Sequence, residues 1–139
     1  MRIVPAPDEL TAPYWTAAHE RRLTIQRCTH CARLSHPPVV CCPRCHHGTF
    51  RWDEMSGHGS IYAFTVVAHS VHPVSAGATP YIIALVELVE GPRILANLRN
   101  CDVDHVRIGL PVAVLFEAVD DAVALPQFTP AQSPIEEPA

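Results

Sequence analysis

The sequence predicts a mainly β protein: an N-terminal helix, a rubredoxin-like zinc ribbon, and a C-terminal five-stranded barrel of the OB type. Three observations carry this. Two Cys-x-x-Cys pairs, Cys28/Cys31 and Cys42/Cys45, stand close together with ten residues between them. After them come short runs rich in Val, Ile, Leu, Tyr and Phe, set apart by Gly, Pro and Asp turn signals. Five such strands with no long helix among them suit a small closed sheet, which also removes exposed edges.

The chain has 139 residues, 48% of them apolar, enough for one compact domain or two small modules sharing a core. Only 17% are charged, and the net charge is −4. That balance argues against a general binder of polyanions, whose affinity comes from basic contacts to phosphate. All ten basic residues other than histidine are arginine. No run of about eighteen apolar residues would span a membrane. The first thirteen residues lack the charged-then-apolar pattern of an export signal. A cytoplasmic location is expected, with the six cysteines reduced rather than paired as disulfides.

In chain order, residues 1–10 read as an extended lead. Thr11 is a good N-cap for a short helix over 13–22, with Pro13 in its first turn and Arg21 and Arg22 at its C-terminal end. Tyr14, Trp15 and Ala18 face inward in this reading, the two aromatics anchoring the helix. A brief strand over 23–26 enters the first knuckle. Between the knuckles, the stretch 34–40 is apolar and carries Pro37 and Pro38. A strand over 50–55 leaves the ribbon. Ser56-Gly-His-Gly59 is a turn or bulge, too short for a phosphate loop.

Strands are then expected over 60–69, 81–89, 94–98, 112–117 and 123–127, with a proline-bearing loop over 72–80 and a tail from 128. The boundaries that follow are 1–26 for lead and helix, 27–53 for the ribbon, 54–128 for the barrel and 129–139 for the tail.

The chemistry lies in the four thiols. Two cysteines three apart in a tight turn present both sulfurs to one ion. A second such turn on a short hairpin completes a tetrahedral, closed thiolate shell, the donor set of a structural zinc. Cys28, Cys31, Cys42 and Cys45 are therefore the candidate ligands. Cys42 is preferred to its neighbour Cys41 because it completes the spacing and precedes Pro43. Iron uses the same four ligands. Zinc is favoured because nothing else in the chain suggests electron transfer. His30, His36, His46 and His47 are read as surface or supporting groups around the site.

The order of marks is specific: Pro13-Tyr14-Trp15, Cys28-x-x-Cys31, Pro37-Pro38, Cys42-Pro43-x-Cys45, Ser56-Gly57-x-Gly59, Pro80-Tyr81, Gly109-x-Pro111-Val112 and Phe128-x-Pro130. With these the chain resembles, from about Pro13 to Pro130, the acyl-CoA-associated zinc-ribbon and OB-fold proteins first catalogued as domain of unknown function thirty-five. The extra thiol Cys41 departs from the pattern.

The resemblance implies a small companion of enzymes that work on CoA thioesters. The branch that matches best partners a thiolase-like, lipid-transfer-protein-type retro-aldolase in steroid side-chain degradation. Other branches partner hot-dog-fold enoyl-CoA hydratases, or bridge thiolase and hydroxymethylglutaryl-CoA synthase. It also implies an acyl-CoA held in the complex, and a heterotetramer, because thiolase-fold enzymes are usually dimers.

The residues themselves offer no catalytic constellation. A closed thiolate site has no open position for substrate. Cys101, with His105 four residues on, would need an adjacent base and an oxyanion hole to act as a nucleophile. No catalytic residue is assigned, and the chain is read as an accessory subunit rather than an enzyme by itself. The rival class is an OB-type nucleic-acid module. Its stacking residues would be Tyr62, Phe64 and Tyr81, but the sequence puts few arginines beside them and is acidic overall.

Overall fold

The computed structural model describes residues 4–69 and 79–131. One helix, α1 (Ala12–His19), precedes three ribbon strands, β1 (Thr24–Cys28), β2 (Leu34–Ser35) and β3 (Phe50–Glu54). Five barrel strands follow: β4 (His58–Val67), β5 (Tyr81–Leu88), β6 (Arg93–Leu98), β7 (Pro111–Ala118) and β8 (Ala124–Pro130).

The helix is shorter than expected, for a local reason. Arg21 takes a positive φ of 65°. The Arg22 amide then reaches back to the Ala17 carbonyl at 2.9 Å, and the Arg21 amide to Ala18 at 3.0 Å. This is a Schellman closure, with arginine where glycine usually stands. Arg21 and Arg22 thus end the helix rather than extend it. At the other end Thr11 does not cap with its own side chain. Asp8 Oδ1 accepts the Thr11 amide at 2.8 Å instead, and the Thr11 hydroxyl accepts the Asp8 amide at 3.1 Å. The Thr11 amide foremost, and then the Thr11 hydroxyl, which donates to Asp8 Oδ1 at 3.0 Å, hold the Asp8 carboxyl below its ordinary range.

The ribbon strands form an antiparallel sheet in the order β2-β1-β3. The barrel closes in the order β4-β5-β6-β8-β7, with β7 returning to β4. Every barrel neighbour is antiparallel except β6 and β8, which meet in parallel at Leu98 and Phe128. This is the five-stranded OB barrel the sequence predicts. Helix α1 packs on β1 of the ribbon and on β7 and β8 of the barrel. Arg21 Nη1 donates to the Phe116 carbonyl at 2.9 Å, and His19 Nε2 lies 2.8 Å from the Asp121 carbonyl.

Ribbon, helix and barrel share one core. Tyr14, Leu23 and Ile25 are buried in the same cluster as Ile61, Ile82, Val86, Val112 and Phe128. Tyr14 is therefore an anchor, as expected, and its burial raises its phenol well above the usual range. Trp15 sits edge-on to it, with ring centroids 5.0 Å apart, and stays half-buried. Strand β5 shows how one face is chosen. Its sequence is almost continuously apolar, yet Ile82, Ala84, Val86 and Leu88 are buried while their alternate neighbours are only half-buried.

Two strand boundaries differ from expectation with consequences. Strand β8 runs on through Phe128, Thr129 and Pro130, and Phe128 is fully buried rather than the start of a tail. Strand β4 starts at His58, so Gly59 lies inside the sheet opposite Leu88. A Cβ on Gly59 would collide with the Glu87 carbonyl oxygen, which is backbone and has nowhere to move. Gly59→Ala is thus expected to cost about 3 kcal/mol, read as a lower urea midpoint with unchanged slope. The loop expected over 72–80 falls outside the described residues save for Thr79 and Pro80, as does the end of the tail. Among the described residues no helix is long and apolar enough to cross a membrane.

Candidate metal centre

The two knuckles repeat one backbone device. The Ala32 amide donates to the Cys28 carbonyl at 2.9 Å, and the His46 amide to the Cys42 carbonyl at 2.9 Å. The first cysteine of each turn then donates its own amide five residues on, Cys28 to Arg33 at 2.9 Å and Cys42 to His47 at 2.8 Å. Each turn needs a left-handed residue just after its second cysteine, and Ala32 and His46 both adopt φ 67°. Neither is glycine, so each carries a cost of about 1–2 kcal/mol. His46→Gly is expected to stabilise the metal-loaded fold by about 1 kcal/mol, measurable as a raised denaturant midpoint.

These turns bring four sulfurs together. The Sγ atoms of Cys28, Cys31, Cys42 and Cys45 all lie within 4.8 Å of one another. Cys28 and Cys45 are 3.5 Å apart, as are Cys31 and Cys42. A tetrahedron with metal–sulfur bonds of about 2.3 Å has edges of about 3.8 Å, so the donor set fits one tetrahedral ion. Backbone amides point at the sulfurs: Cys31 at Cys28 from 3.5 Å, and Arg44 at Cys42 from 3.4 Å. Such donors favour thiolate. The Cys31 amide chiefly lowers the Cys28 thiol, and the Cys45 amide chiefly lowers Cys42, to about 6. Cys45 is pushed up to about 12: the His47 amide favours its thiolate, but burial and the neighbouring sulfurs outweigh it. A cation is what would reconcile four thiolates at this spacing. Cys41, by contrast, is exposed and outside the cluster.

The surroundings brace the turns. His30 from one knuckle stacks on His47 beside the other, centroids 3.6 Å apart and planes 17° apart. His46 is exposed, and His36 packs near Tyr14 at 5.3 Å. Burial lowers His36 to about 4, so its imidazole is neutral at pH 7. Arg27 donates to the Ala32 carbonyl at 2.8 Å and pairs with Asp53. Gln26 was not singled out in the sequence, yet it holds the loop between the knuckles. Its side chain is buried, donating to the Val39 carbonyl at 3.0 Å and accepting the Val39 amide at 2.9 Å. The available signal was one polar residue in an inward-facing position of the strand Thr-Ile-Gln-Arg-Cys.

The Cys101–His105 pairing does not form. The Cys101 thiol turns to the Asp102 carbonyl at 3.4 Å, and His105 Nδ1 faces the Asp102 carboxylate at 3.6 Å. Burial and the Asp102 charge raise the Cys101 thiol, which disfavours a nucleophilic thiolate. Tyr62 is exposed with Arg93 over its ring at 3.7 Å, Phe64 is exposed, and Tyr81 is half-buried.

Comparison with known proteins agrees with this architecture. Residues 15–51 match the model "ChsH2, rubredoxin-like zinc ribbon domain", and residues 52–117 match "ChsH2, C-terminal OB-fold domain". A probable enoyl-CoA hydratase alpha subunit of Thermomonospora curvata is 44% identical over 94% of the chain. A 3-oxo-4,17-pregnadiene-20-carboxyl-CoA hydratase alpha subunit of Mycobacterium tuberculosis is 35% identical over 81% of it. The chain spans only 40% and 35% of the lengths of those two relatives. A DUF35 domain-containing scaffold protein of Methanocaldococcus jannaschii is 32% identical, with 82% of each chain covered. Among solved structures, a chain of the Ltp2-ChsH2(DUF35) aldolase superposes with a TM-score of 0.83 at 41% identity, covering 91% of this chain and 98% of that one.

Proposed function

The chain belongs to the DUF35 family, zinc-ribbon and OB-fold proteins related to ChsH2, and on that premise we propose that it is a non-catalytic companion subunit of an acyl-CoA-processing complex. Its partner in this reading is a thiolase-like retro-aldolase acting on a steroid side chain. The observation that carries the proposal is the match, over nearly the whole of both chains, to the Ltp2-ChsH2(DUF35) aldolase. The steroid assignment draws support from the pregnadiene-carboxyl-CoA relative.

The chain's own residues supply shape. Cys28, Cys31, Cys42 and Cys45 hold a structural zinc, which ties the two knuckles into one rigid ribbon. Helix α1 couples that ribbon to the barrel through Arg21 and His19. In this reading the reactive groups belong to the partner, and the separation of Cys101 from His105, each turned to Asp102, supports it. The expected assembly has two enzyme chains and two companions, in the cytoplasm, where thiols stay reduced.

A second reading has a specific observation behind it: two relatives are hydratase alpha subunits, one of them 44% identical. In that reading the partner is a hydratase subunit. Co-expression with a thiolase-like partner and, separately, with a hot-dog-fold hydratase partner separates the two. Co-purification with the thiolase-like chain, and retro-aldol cleavage by the pair, is the expected result. Stable association only with the hydratase chain, accompanied by hydration, overturns it.

A further inference from the structure

We propose that the cleft between the ribbon and the β5–β6 turn is a binding site for the phosphate groups of a CoA thioester. The inference rests on the acyl-CoA reading above and deepens it by naming the residues that meet the substrate. The chain is acidic overall, at −4. Yet four of its ten arginines, Arg27, Arg33, Arg44 and Arg93, line this one cleft of about 840 Å³. Charge concentrated against the sign of the whole molecule marks an anion site.

The four arginines are not equivalent. Arg27 is held by Asp53, and Arg93 by Glu87 at 3.1 Å. Arg33 and Arg44 are exposed and have no ion-pair or hydrogen-bond partner for their guanidinium groups among the described residues. Arg33 follows the first knuckle and Arg44 lies inside the second, so the ribbon's two turns carry them into the cleft together. One carboxylate, Glu90, also lines it, but that group accepts the Ser56 amide at 2.8 Å. A second observation points the same way. Ser35 also lines the cleft; the residue is 6% exposed, and its buried hydroxyl has no hydrogen-bond partner among the described residues. A buried hydroxyl left unpaired is costly unless something binds it.

An anion with several oxygens suits the two guanidinium groups left without partners. Planar guanidinium forks match phosphate two oxygens at a time. A nucleotide thioester presents such phosphates on a long arm. Its diphosphate then rests against the ribbon while the acyl end reaches the partner. A single-stranded nucleic acid offers the same phosphates. It would also use stacking rings beside the cleft, where His36 lines the wall and Tyr62 lies under Arg93, so the oligonucleotide is one arm of the test.

The test is calorimetric titration of CoA into the zinc-loaded chain and into the assembled complex, at low and at physiological salt. Arg33→Glu and Arg44→Glu are each expected to weaken CoA binding roughly tenfold or more, the loss of one charge-assisted contact. Arg107→Glu, outside the cleft, serves as the control and is expected to leave it unchanged. Zinc content and far-ultraviolet circular dichroism verify that each variant is folded. Dephospho-CoA, inorganic pyrophosphate and a single-stranded oligonucleotide are the comparison ligands.

Unaltered CoA affinity in the Arg33→Glu/Arg44→Glu double variant overturns the site. So does CoA binding by neither chain nor complex, pyrophosphate binding as tight as CoA, or an oligonucleotide that binds tighter. Co-purification of the double variant with the partner keeps the two claims apart. A complex that forms but ignores the charge reversals sinks the cleft alone, whereas no complex with the wild-type chain sinks the companion reading.

Discussion

Cys42→Ser is expected to abolish metal retention and to unfold the ribbon. Cys42 is fully buried and opens the second knuckle, where its carbonyl, amide and sulfur each hold the turn. Structural zinc in small domains contributes on the order of 10 kcal/mol or more of apparent folding free energy. That is as large as the whole stability of an ordinary domain, roughly 5–15 kcal/mol. The damage does not stop at the ribbon, since Leu23 and Ile25 share the barrel's core. Metal analysis and thermal melting read the outcome. The exposed neighbour is the control: Cys41→Ser is expected to keep its metal and its melting temperature. Loss of metal from Cys41→Ser with retention in Cys42→Ser would reassign the ligand.

Phe128→Ala is expected to cost about 4 kcal/mol. Phe128 is completely buried and lies at the barrel's seam. It pairs in parallel with Leu98 and antiparallel with Val114, and its carbonyl accepts the Arg99 amide at 2.7 Å. The parallel β6–β8 contact is, with β4–β7, one of two junctions of the barrel that no hairpin enforces. Its closure depends on side-chain packing and on Gln127, whose Oε1 accepts the Asn97 amide at 2.8 Å across the seam. Urea unfolding measures the loss directly. A shift worth under about 1 kcal/mol would mean the barrel closes without that ring.

The large features were legible because each rests on local chemistry. Two Cys-x-x-Cys turns need only their own backbone to aim two sulfurs, so spacing suffices. Short apolar runs between turn signals betray strands, and their count betrays a closed sheet. What stayed hidden depends on partners distant in sequence. Arg21 looked like a helix residue, but its left-handed conformation and its bond to Phe116 end the helix. Phe128 looked like the start of a tail until Leu98 and Val114 closed around it. Gly59 looked like a turn, whereas the strand needs it to clear the Glu87 carbonyl. The arginine cleft was invisible for the same reason. Arg33 and Arg44 lie on separate knuckle turns, and Arg93 comes from the barrel. Summed over the chain, acidic residues mask them.

The most direct test of the companion role is turnover measured three ways on one acyl-CoA substrate: this chain alone, the thiolase-like partner alone, and the two together. No product from the isolated zinc-loaded chain, and retro-aldol cleavage that depends on both proteins, is the expected result. Cleavage of the thioester substrate by this chain by itself would place the reactive groups here, and contradict the division of labour between a shaping subunit and a catalytic one.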